Sequence, residues 1–328
     1  MAQDSVLFAL DASKAFGEKV ALAMGIGLAP HEEREFEWGE HKARPLCEVA
    51  RREVFVINSL HGDAGASAND KLVRLLFFIG ALKDAGADRV TAVAPYLAYS
   101  RKDRRTKPRD PVGSRYVASL FEAVGTDRII TLDVHNVSAF ENAFRQATAI
   151  HLPLARVFAA KLADHLAGQD LAVVSPDAGG NKRAELFRHE VERISGQPVS
   201  KGIMEKHRSS GVVSGEMFAG DVAGKTAIIV DDLISSGGTI MRACRACRRA
   251  GAQSVIAVAG HAMFGSESVL FESGGPEAIF VSDTVPLQKD LPRPGGTRLH
   301  IVDAAPLVAD VLARLTSGEP VSELIPYD

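Results

Sequence analysis

Cysteine is scarce in this sequence, tryptophan occurs once, and there is neither a long apolar run nor a surplus of positive charge. Three cysteines, Cys47, Cys244 and Cys247, make no even framework, so no structural disulfide is expected and a reducing compartment is. Cys244 and Cys247 do form a C-x-x-C, but within a stretch from Met241 to Ala250 that reads as helix. No second Cys or His pair stands nearby to complete a tetrahedral zinc site, so metal or redox chemistry is not expected there. No stretch approaches the roughly 20 apolar residues a membrane span needs, and Met1 to Asp4 lacks the basic start of a signal peptide. A cytoplasmic protein with no membrane partner is expected. A formal net charge of −3 argues against a general nucleic-acid binder, which needs cations to displace phosphate counterions. Any anion site must be local.

What is present is material for two α/β cores. The 328 residues suit two domains of about 150 residues each, and 46% apolar with 24% charged residues is a globular balance. Short β-branched runs alternate with helical stretches: Val54 to Ile57, Val90 to Val93, Ile129 to Leu132, Leu171 to Val174, Thr226 to Val230, Val255 to Val258 and Ile279 to Val281. That rhythm predicts parallel sheets flanked by helices. Between the first two runs, Asn69 to Ala85 sets Leu72, Val73, Leu75, Leu76, Ile79 and Leu82 on one helical face. A helix end and strand are written twice, from Ala85 to Ala94 and from Ala250 to Ala259, at an offset of about half the chain, as duplicated domains would give.

The segment richest in chemistry runs from Thr226 to Ile240. It reads as a buried strand ending in Asp231 and Asp232, then a turn of Ser235, Ser236, Gly237, Gly238 and Thr239 that opens a helix. Glycines let backbone N–H groups close on an anion, and the helix N-terminus adds partial positive charge, so the turn suits a phosphate. The two carboxylates suit sugar hydroxyls or a hydrated Mg²⁺. Just upstream, Gly220 to Thr226 imitates a Walker phosphate loop, with three residues instead of four between its glycines and a strand where a helix is required. It is read as a turn. The densest basic run, Arg101, Lys102, Arg104, Arg105, Lys107 and Arg109, has only Tyr96 and Tyr99 as aromatic neighbours, which speaks against single-strand stacking.

Val230 to Asp232 with Ser235 to Thr239 resembles the phosphoribosyl-binding motif of type I phosphoribosyltransferases and phosphoribosyl pyrophosphate synthetases. Three more segments resemble the synthetases in order: Tyr99 to Arg105, Asp133 to His135, and Ser175 to Gly180. Glu205 to Arg208 stands where that family has aspartate-lysine-arginine-arginine. The resemblance implies two tandem type I phosphoribosyltransferase-like domains, residues 1–150 on the ATP side and 151–328 on the ribose 5-phosphate side. The final residues are expected to return to the first domain, and the active site to lie between the two. It further implies Mg²⁺-dependent transfer of the β,γ-diphosphoryl group of ATP to O1 of ribose 5-phosphate, by a homo-oligomer built of dimers and extending to a hexamer. Residue by residue, it implies a catalytic role for Lys206 and Arg208 in a mobile loop. ATP contacts fall to Phe36, Trp38, Gly39, Glu40, Arg101, Lys102 and Arg104. Ribose 5-phosphate contacts fall to Arg208, Asp231, Asp232, Ser235, Ser236, Gly237, Gly238 and Thr239, and Mg²⁺ association to His135 and Asp177.

The chain departs from that pattern at further places. Lys102 replaces glutamine, Trp38 replaces an aspartate that reads the adenine amino group, and Ser235 replaces an aspartate of the ribose motif. The stretch from Pro108 to Ser114 also differs, so phosphate activation and ADP inhibition do not carry over. Two alternatives stand beside the synthetase: a phosphoribosyltransferase that consumes the sugar pyrophosphate, and a non-catalytic regulatory partner of a synthetase.

Overall fold

The computed structural model describes residues 5–209, 212–288, 291 and 296–325, with 205–209 and 212–216 described by their backbone. The chain divides into one unit of Met1–Pro153 with Ala305–Tyr327 and a second of Leu154–Ala304.

The first unit holds β1 (Val6–Ala9), α1 (Lys14–Met24), β2 (His31–Glu35), β3 (His41–Pro45), β4 (Glu53–Ile57), α2 (Ala68–Asp84), β5 (Arg89–Ala94), α3 (Gly113–Ala123), β6 (Arg128–Leu132), α4 (Val137–Ala143) and β7 (Thr148–Leu152). Five strands form a parallel sheet in the order β1-β4-β5-β6-β7, and β2 and β3 make a separate antiparallel ribbon. The second unit holds α5 (Ala155–Leu166), β8 (Leu171–Ser175), α6 (Asn181–Ser195), β9 (Ser200–Ser209), β10 (Val212–Gly220), β11 (Thr226–Ile234), α7 (Gly238–Arg249), β12 (Ser254–Ala262), β13 (Ala278–Ser282) and β14 (Arg298–Val302). Its sheet runs β10-β9-β8-β11-β12-β13-β14, antiparallel only at the β9–β10 edge. A last helix, α8 (Ala305–Ser317), packs on α1 and so completes the first unit, while α5 packs on α6.

The two units share one plan. A strand and helix are followed by a two-stranded hairpin, then by four more strands laid down in sheet order. The written-twice segment marks equivalent places, since Gly86 and Gly251 both follow a helix with φ of +84° and +88°, a conformation glycine adopts without a Cβ clash. Each sheet is buried by its helices. Phe8, Val54, Val56, Leu75, Phe78, Ile79 and Ile129 belong to the first core, and Ala227, Ile229, Ile240, Cys244, Cys247, Val255 and Ile279 to the second. The apolar strands of parallel sheets covered on both faces have just this composition.

Helix α2 starts at a reciprocal cap in which Ser67 accepts the Asp70 N–H and Asp70 accepts the Ser67 N–H. Of the face expected to cover the sheet, Val73 turns outward at 43% exposure, and Phe78 takes a buried place instead. On a 3.6-residue period Val73 lies about 100° from Leu72 and Leu76 falls back beneath it, so only the latter two meet the sheet. The C-x-x-C is core packing. Cys244 and Cys247 are free and buried, and burial pushes both thiols up to about 12, which leaves them inert.

Candidate active site

The second unit carries the carboxylate pair. β11 runs on through Asp231 and Asp232 to Ile234, past the carboxylate pair at which the strand was expected to end. The reason lies in its two neighbours. β8 pairs only as far as Ile229, but β12 continues alongside to Ala262, where the Met263 N–H donates to the Ile234 carbonyl at 2.8 Å. Asp231 and Asp232 therefore sit where the sheet has opened on one side at the C-terminal ends of its strands, the usual ligand edge of parallel α/β sheets.

The pair is electrostatically uneven. The Asp232 N–H donates to Asp231 Oδ1 at 2.9 Å, and Arg183 Nη1 lies 3.9 Å from Asp232 Oδ1. Burial, reinforced by the neighbouring Asp232 carboxyl, pushes Asp231 up to about 8. Two adjacent carboxyls in a poorly solvated site cannot both ionise cheaply, so one keeps its proton until a donor-rich ligand arrives.

Ser235 and Ser236 then stand exposed, and α7 opens at Gly237 with no side chain capping its first turn. The orphan N–H groups of that turn are suited to an anion. Gly237 has φ of +83°, and a Cβ there would fall 2.5 Å from Leu270 Cγ and 2.9 Å from Ser268 Oγ. Only glycine fits. Gly237→Ala is expected to weaken anion binding at this turn and lower the melting temperature, the strained φ alone costing about 1 kcal/mol or more; a phosphate titration and melting curve matching wild type would show that the turn tolerates the methyl group.

Asp177 lies past the end of β8. Its Oδ1 accepts the Gly180 N–H at 3.0 Å while its carbonyl accepts from Ser175 Oγ at 2.6 Å, folding the Ser175 to Gly180 segment into a tight turn before α6. The backbone of Lys206 and Arg208 belongs to β9, opposite Glu216 and Val213 of β10. The loop expected there is thus a strand, because ladder pairing continues outward from Gly202 and Gly220 and is favoured by the β-branched Val212 and Val213. The Lys206 and Arg208 side chains lie outside the described residues. Lys225, the apparent Walker lysine, donates to Asp221 at 2.5 Å and to Ser200 at 2.6 Å as β11 begins, so it is tied into a turn.

In the first unit, Arg101, Lys102 and Arg104 follow β5 on the segment that leads to α3. Tyr99 has φ of +64° and its hydroxyl donates to Asn69, anchoring the start of the segment. Lys102 Nζ pairs with Asp110 Oδ2 at 2.7 Å. Asp110 also accepts from the Thr106 hydroxyl and the Thr106 and Lys107 N–H groups. The Lys102 ammonium, and after it these donors, hold the Asp110 carboxyl far below the usual carboxylate range. Lys102 thus has a local partner that organises the basic turn, and Asp110 is a residue the sequence reading passed over. Its signal was a carboxylate closing the basic run directly after Arg109.

His135 stands exposed just after β6, and the neighbouring Asn136 caps α4 and donates to Asp103 at 2.7 Å. A second missed group follows β4. Lys71 is fully buried on α2 and reaches Asp63 and the His61 ring, the latter at 3.1 Å. Burial, with help from the Lys71 charge, pushes His61 down to about 4. Against the pull of burial, Lys71 and the Gly65 and Ala66 N–H groups hold Asp63 down to about 2. This ion pair braces the loop beside Tyr96, whose carbonyl accepts the Leu60 N–H at 2.9 Å. A lysine on the apolar face of α2 was the legible clue.

The remaining residues expected to contact ATP crown the β2–β3 ribbon. Phe36 N–H donates to the Glu40 carbonyl at 2.7 Å, closing a turn in which Trp38 has φ of +72° and is 99% exposed. Arg34 lies over the Phe36 ring, 5.0 Å from its centroid.

Known proteins resemble this chain over nearly its whole length. Residues 5–125 match the N-terminal domain of ribose phosphate pyrophosphokinase, and residues 203–326 match the phosphoribosyl synthetase-associated domain. Ribose-phosphate pyrophosphokinase 1 of Streptococcus pyogenes serotype M1 is 32% identical, over 98% of this chain and 97% of its own. Ribose-phosphate pyrophosphokinase of Wolinella succinogenes is 32% identical, over 97% of this chain and 98% of its own. Among solved structures, phosphoribosylpyrophosphate synthetase from Mycobacterium smegmatis superposes with a TM-score of 0.84 at 30% identity, over 96% of this chain and 100% of that one.

Proposed function

The chain belongs to the ribose-phosphate pyrophosphokinase family, and from that premise we propose that it transfers the β,γ-diphosphoryl group of ATP to O1 of ribose 5-phosphate, releasing AMP. The observation that carries this reading is the strand-end pair Asp231 and Asp232 set immediately before an uncapped helix N-terminus at Gly237. Two carboxyls suit a sugar diol, and the first turn of α7 suits the 5-phosphate. Purified protein given Mg-ATP and ribose 5-phosphate should release AMP in step with phosphoribosyl pyrophosphate. Release of ADP, or base-dependent consumption of phosphoribosyl pyrophosphate instead, would overturn the proposal.

The chemistry asks for positioned positive charge and no covalent nucleophile. As O1 attacks the β-phosphorus and the bond to the α-phosphate oxygen breaks, negative charge grows on phosphoryl oxygens. Lys206 and Arg208 supply the balancing cations in this reading, and Arg101 and Arg104 hold ATP, arginine because its planar fork matches phosphate. Mg²⁺ neutralises the phosphate oxygens when bound. Asp177 fits such a hard ion, since its Oδ2 makes no hydrogen bond among the described residues, whereas the imidazole of His135 suits contact through water.

The Trp38 tip supports an oligomeric reading, because a fully exposed indole on a projecting ribbon is an anchor for a neighbouring copy. A cytoplasmic setting rests on the three free thiols; among the described residues, no helix is long and apolar enough to cross a membrane. Trp38 also bears on base choice. In place of a carboxylate that accepts from the adenine amino group it offers a ring that stacks on any base. Wild type is expected to prefer ATP over GTP only about three- to tenfold in kcat/KM, the worth of one hydrogen bond, and Trp38→Asp to sharpen the ratio. Exclusion of GTP by several orders of magnitude in wild type would move base selection elsewhere.

A further inference from the structure

The proposed reaction sets ATP against the segment after β5, and the way that segment is fastened gives one of its cations a different role from its neighbours. Along Arg101 to Arg104 the two arginines are exposed and the two residues between them are half-buried. Both inner residues are tied down. Asp103 Oδ2 accepts from Asn136 Nδ2 at 2.7 Å, which fastens the segment to the start of α4. Lys102 is fastened to α3 through its backbone, since its carbonyl accepts the Ser114 N–H at 3.2 Å. No side chain caps that helix, so the contact satisfies a donor that the first turn leaves open.

The Lys102 ammonium goes to Asp110. Its Nζ donates to Asp110 Oδ2 at 2.7 Å, and the Thr106 hydroxyl and the Thr106 and Lys107 N–H groups converge on the same oxygen at 2.7, 3.0 and 3.0 Å. The Asp110 carbonyl in turn accepts from Arg105 Nε at 3.3 Å, and the Asp110 N–H donates to the Lys107 carbonyl at 3.2 Å. The turn so closed holds Arg109 at φ of +68°, a left-handed conformation that a residue with a Cβ resists. One carboxylate thus gathers the whole arc from Lys102 to Asp110. Its charge also cancels that of Lys102 at contact distance, so a phosphate meets little net attraction there. To reach ATP, the ammonium would have to leave behind a carboxylate stripped of its ionic partner. Arg101 and Arg104, by contrast, make no hydrogen bond or ion pair among the described residues, and their planar forks are available to phosphate.

Resting on the reading that Arg101 and Arg104 hold ATP, we infer that Lys102 and Asp110 are positioning residues. Their ion pair fixes the arc that sets the two arginines toward the phosphates, and Lys102 makes no contact of its own with the nucleotide. An arc fixed beforehand removes part of the ordering that binding would otherwise demand of two long side chains. The two residues act as one unit, so the loss of either has the same effect as the loss of both.

The test titrates the full chain with Mg-ATP in the absence of ribose 5-phosphate. Asp110→Asn and Lys102→Met should each weaken Mg-ATP about fivefold, the upper range for a partly exposed ion pair. The two substitutions combined should weaken it no further, because a single interaction is lost in all three proteins. Asp110→Glu, which keeps the charge, should recover part of the affinity. In turnover the same variants should raise KM for ATP more than they lower kcat, with KM for ribose 5-phosphate at the wild-type value. Thr106→Val removes one donor to Asp110 at an exposed position and should weaken Mg-ATP in the same direction, which keeps the test valid if Asp110→Asn does not fold. A direct contact between Lys102 and ATP predicts the opposite sign, since Asp110→Asn would release the ammonium and tighten binding. That tightening, additive losses in the combined variant, or wild-type affinity in both Asp110→Asn and Thr106→Val would each overturn the positioning role. Arg101→Ala reads the underlying assignment separately: wild-type affinity there would remove ATP from this segment altogether.

Discussion

Lys206→Ala is expected to lower the rate of AMP release about 10²-fold or more while leaving the melting temperature and ribose 5-phosphate affinity near wild type. The size is that of one charge removed from a transition state it stabilises. The separation of effects follows from the fold. The backbone at Lys206 is held by pairing with Glu216 in the β9–β10 hairpin, a ladder that does not depend on the side chain. Ribose 5-phosphate is assigned to β11 and the start of α7, which are separate elements of the same unit. Steady-state kinetics beside a binding titration reads both quantities. Near-normal turnover would remove Lys206 from the reaction, and a matching loss of sugar-phosphate affinity would make it a binding residue.

Asp231→Asn is expected to weaken ribose 5-phosphate about 10- to 100-fold at pH 8, the range for hydrogen bonds made to a charged group. It should also change how the free protein responds to pH. With its folded pKa raised from 3.8 to about 8, Asp231 keeps a proton that the unfolded chain has released. The folded state then binds more protons than the unfolded one between those values, so stability falls as pH rises across the window. The contribution of the protonated group is full below about pH 3.8 and lost as pH passes through about 8. Asparagine mimics the neutral acid at every pH. The variant should therefore melt higher than wild type near pH 8 and alike near pH 4, while binding sugar phosphate worse. Wild-type binding, which favours the ionised form when sugar hydroxyls donate to it, should tighten up to about pH 8 and then level off. Parallel melting curves for the two proteins across pH 4 to 8 would mean that Asp231 ionises normally.

Much of this architecture was readable because parallel strands advertise themselves. Val54 to Ile57, Val90 to Val93, Ile129 to Leu132 and Ile279 to Val281 are short β-branched runs with no competing helical period, and each lies in a strand. The ribbon was not readable for the opposite reason. His31 to Glu35 and His41 to Pro45 are mostly charged, without apolar alternation, and their pairing is sealed by tertiary ion pairs such as Lys42 and Arg44 with Glu32. The site divided along the same line. Asp231, Asp232 and the Gly237 turn follow from a contiguous motif, whereas Asp110, Asp63 and Lys71 act through partners that only folding brings together. Lys102 shows the difference within one residue: its charge was evident, its engagement with Asp110 was not.

The exchange of closing helices bears on the order in which the protein is made. The helix that follows β7 packs on α6 of the second unit, and the helix that follows β14 packs on α1 of the first. A nascent chain that has just finished β7 therefore has its first five-strand sheet complete but lacks α8, with its buried Val308, Ala309, Val311 and Leu312. It must wait for the whole second unit to be translated before that face of α1 is covered. The second unit, contiguous from Leu154 to Ala304, has no such delay. A chain cut off after Ala304 would thus hold a complete second unit and an incomplete first, and a protease acting on it should cut first in the first unit.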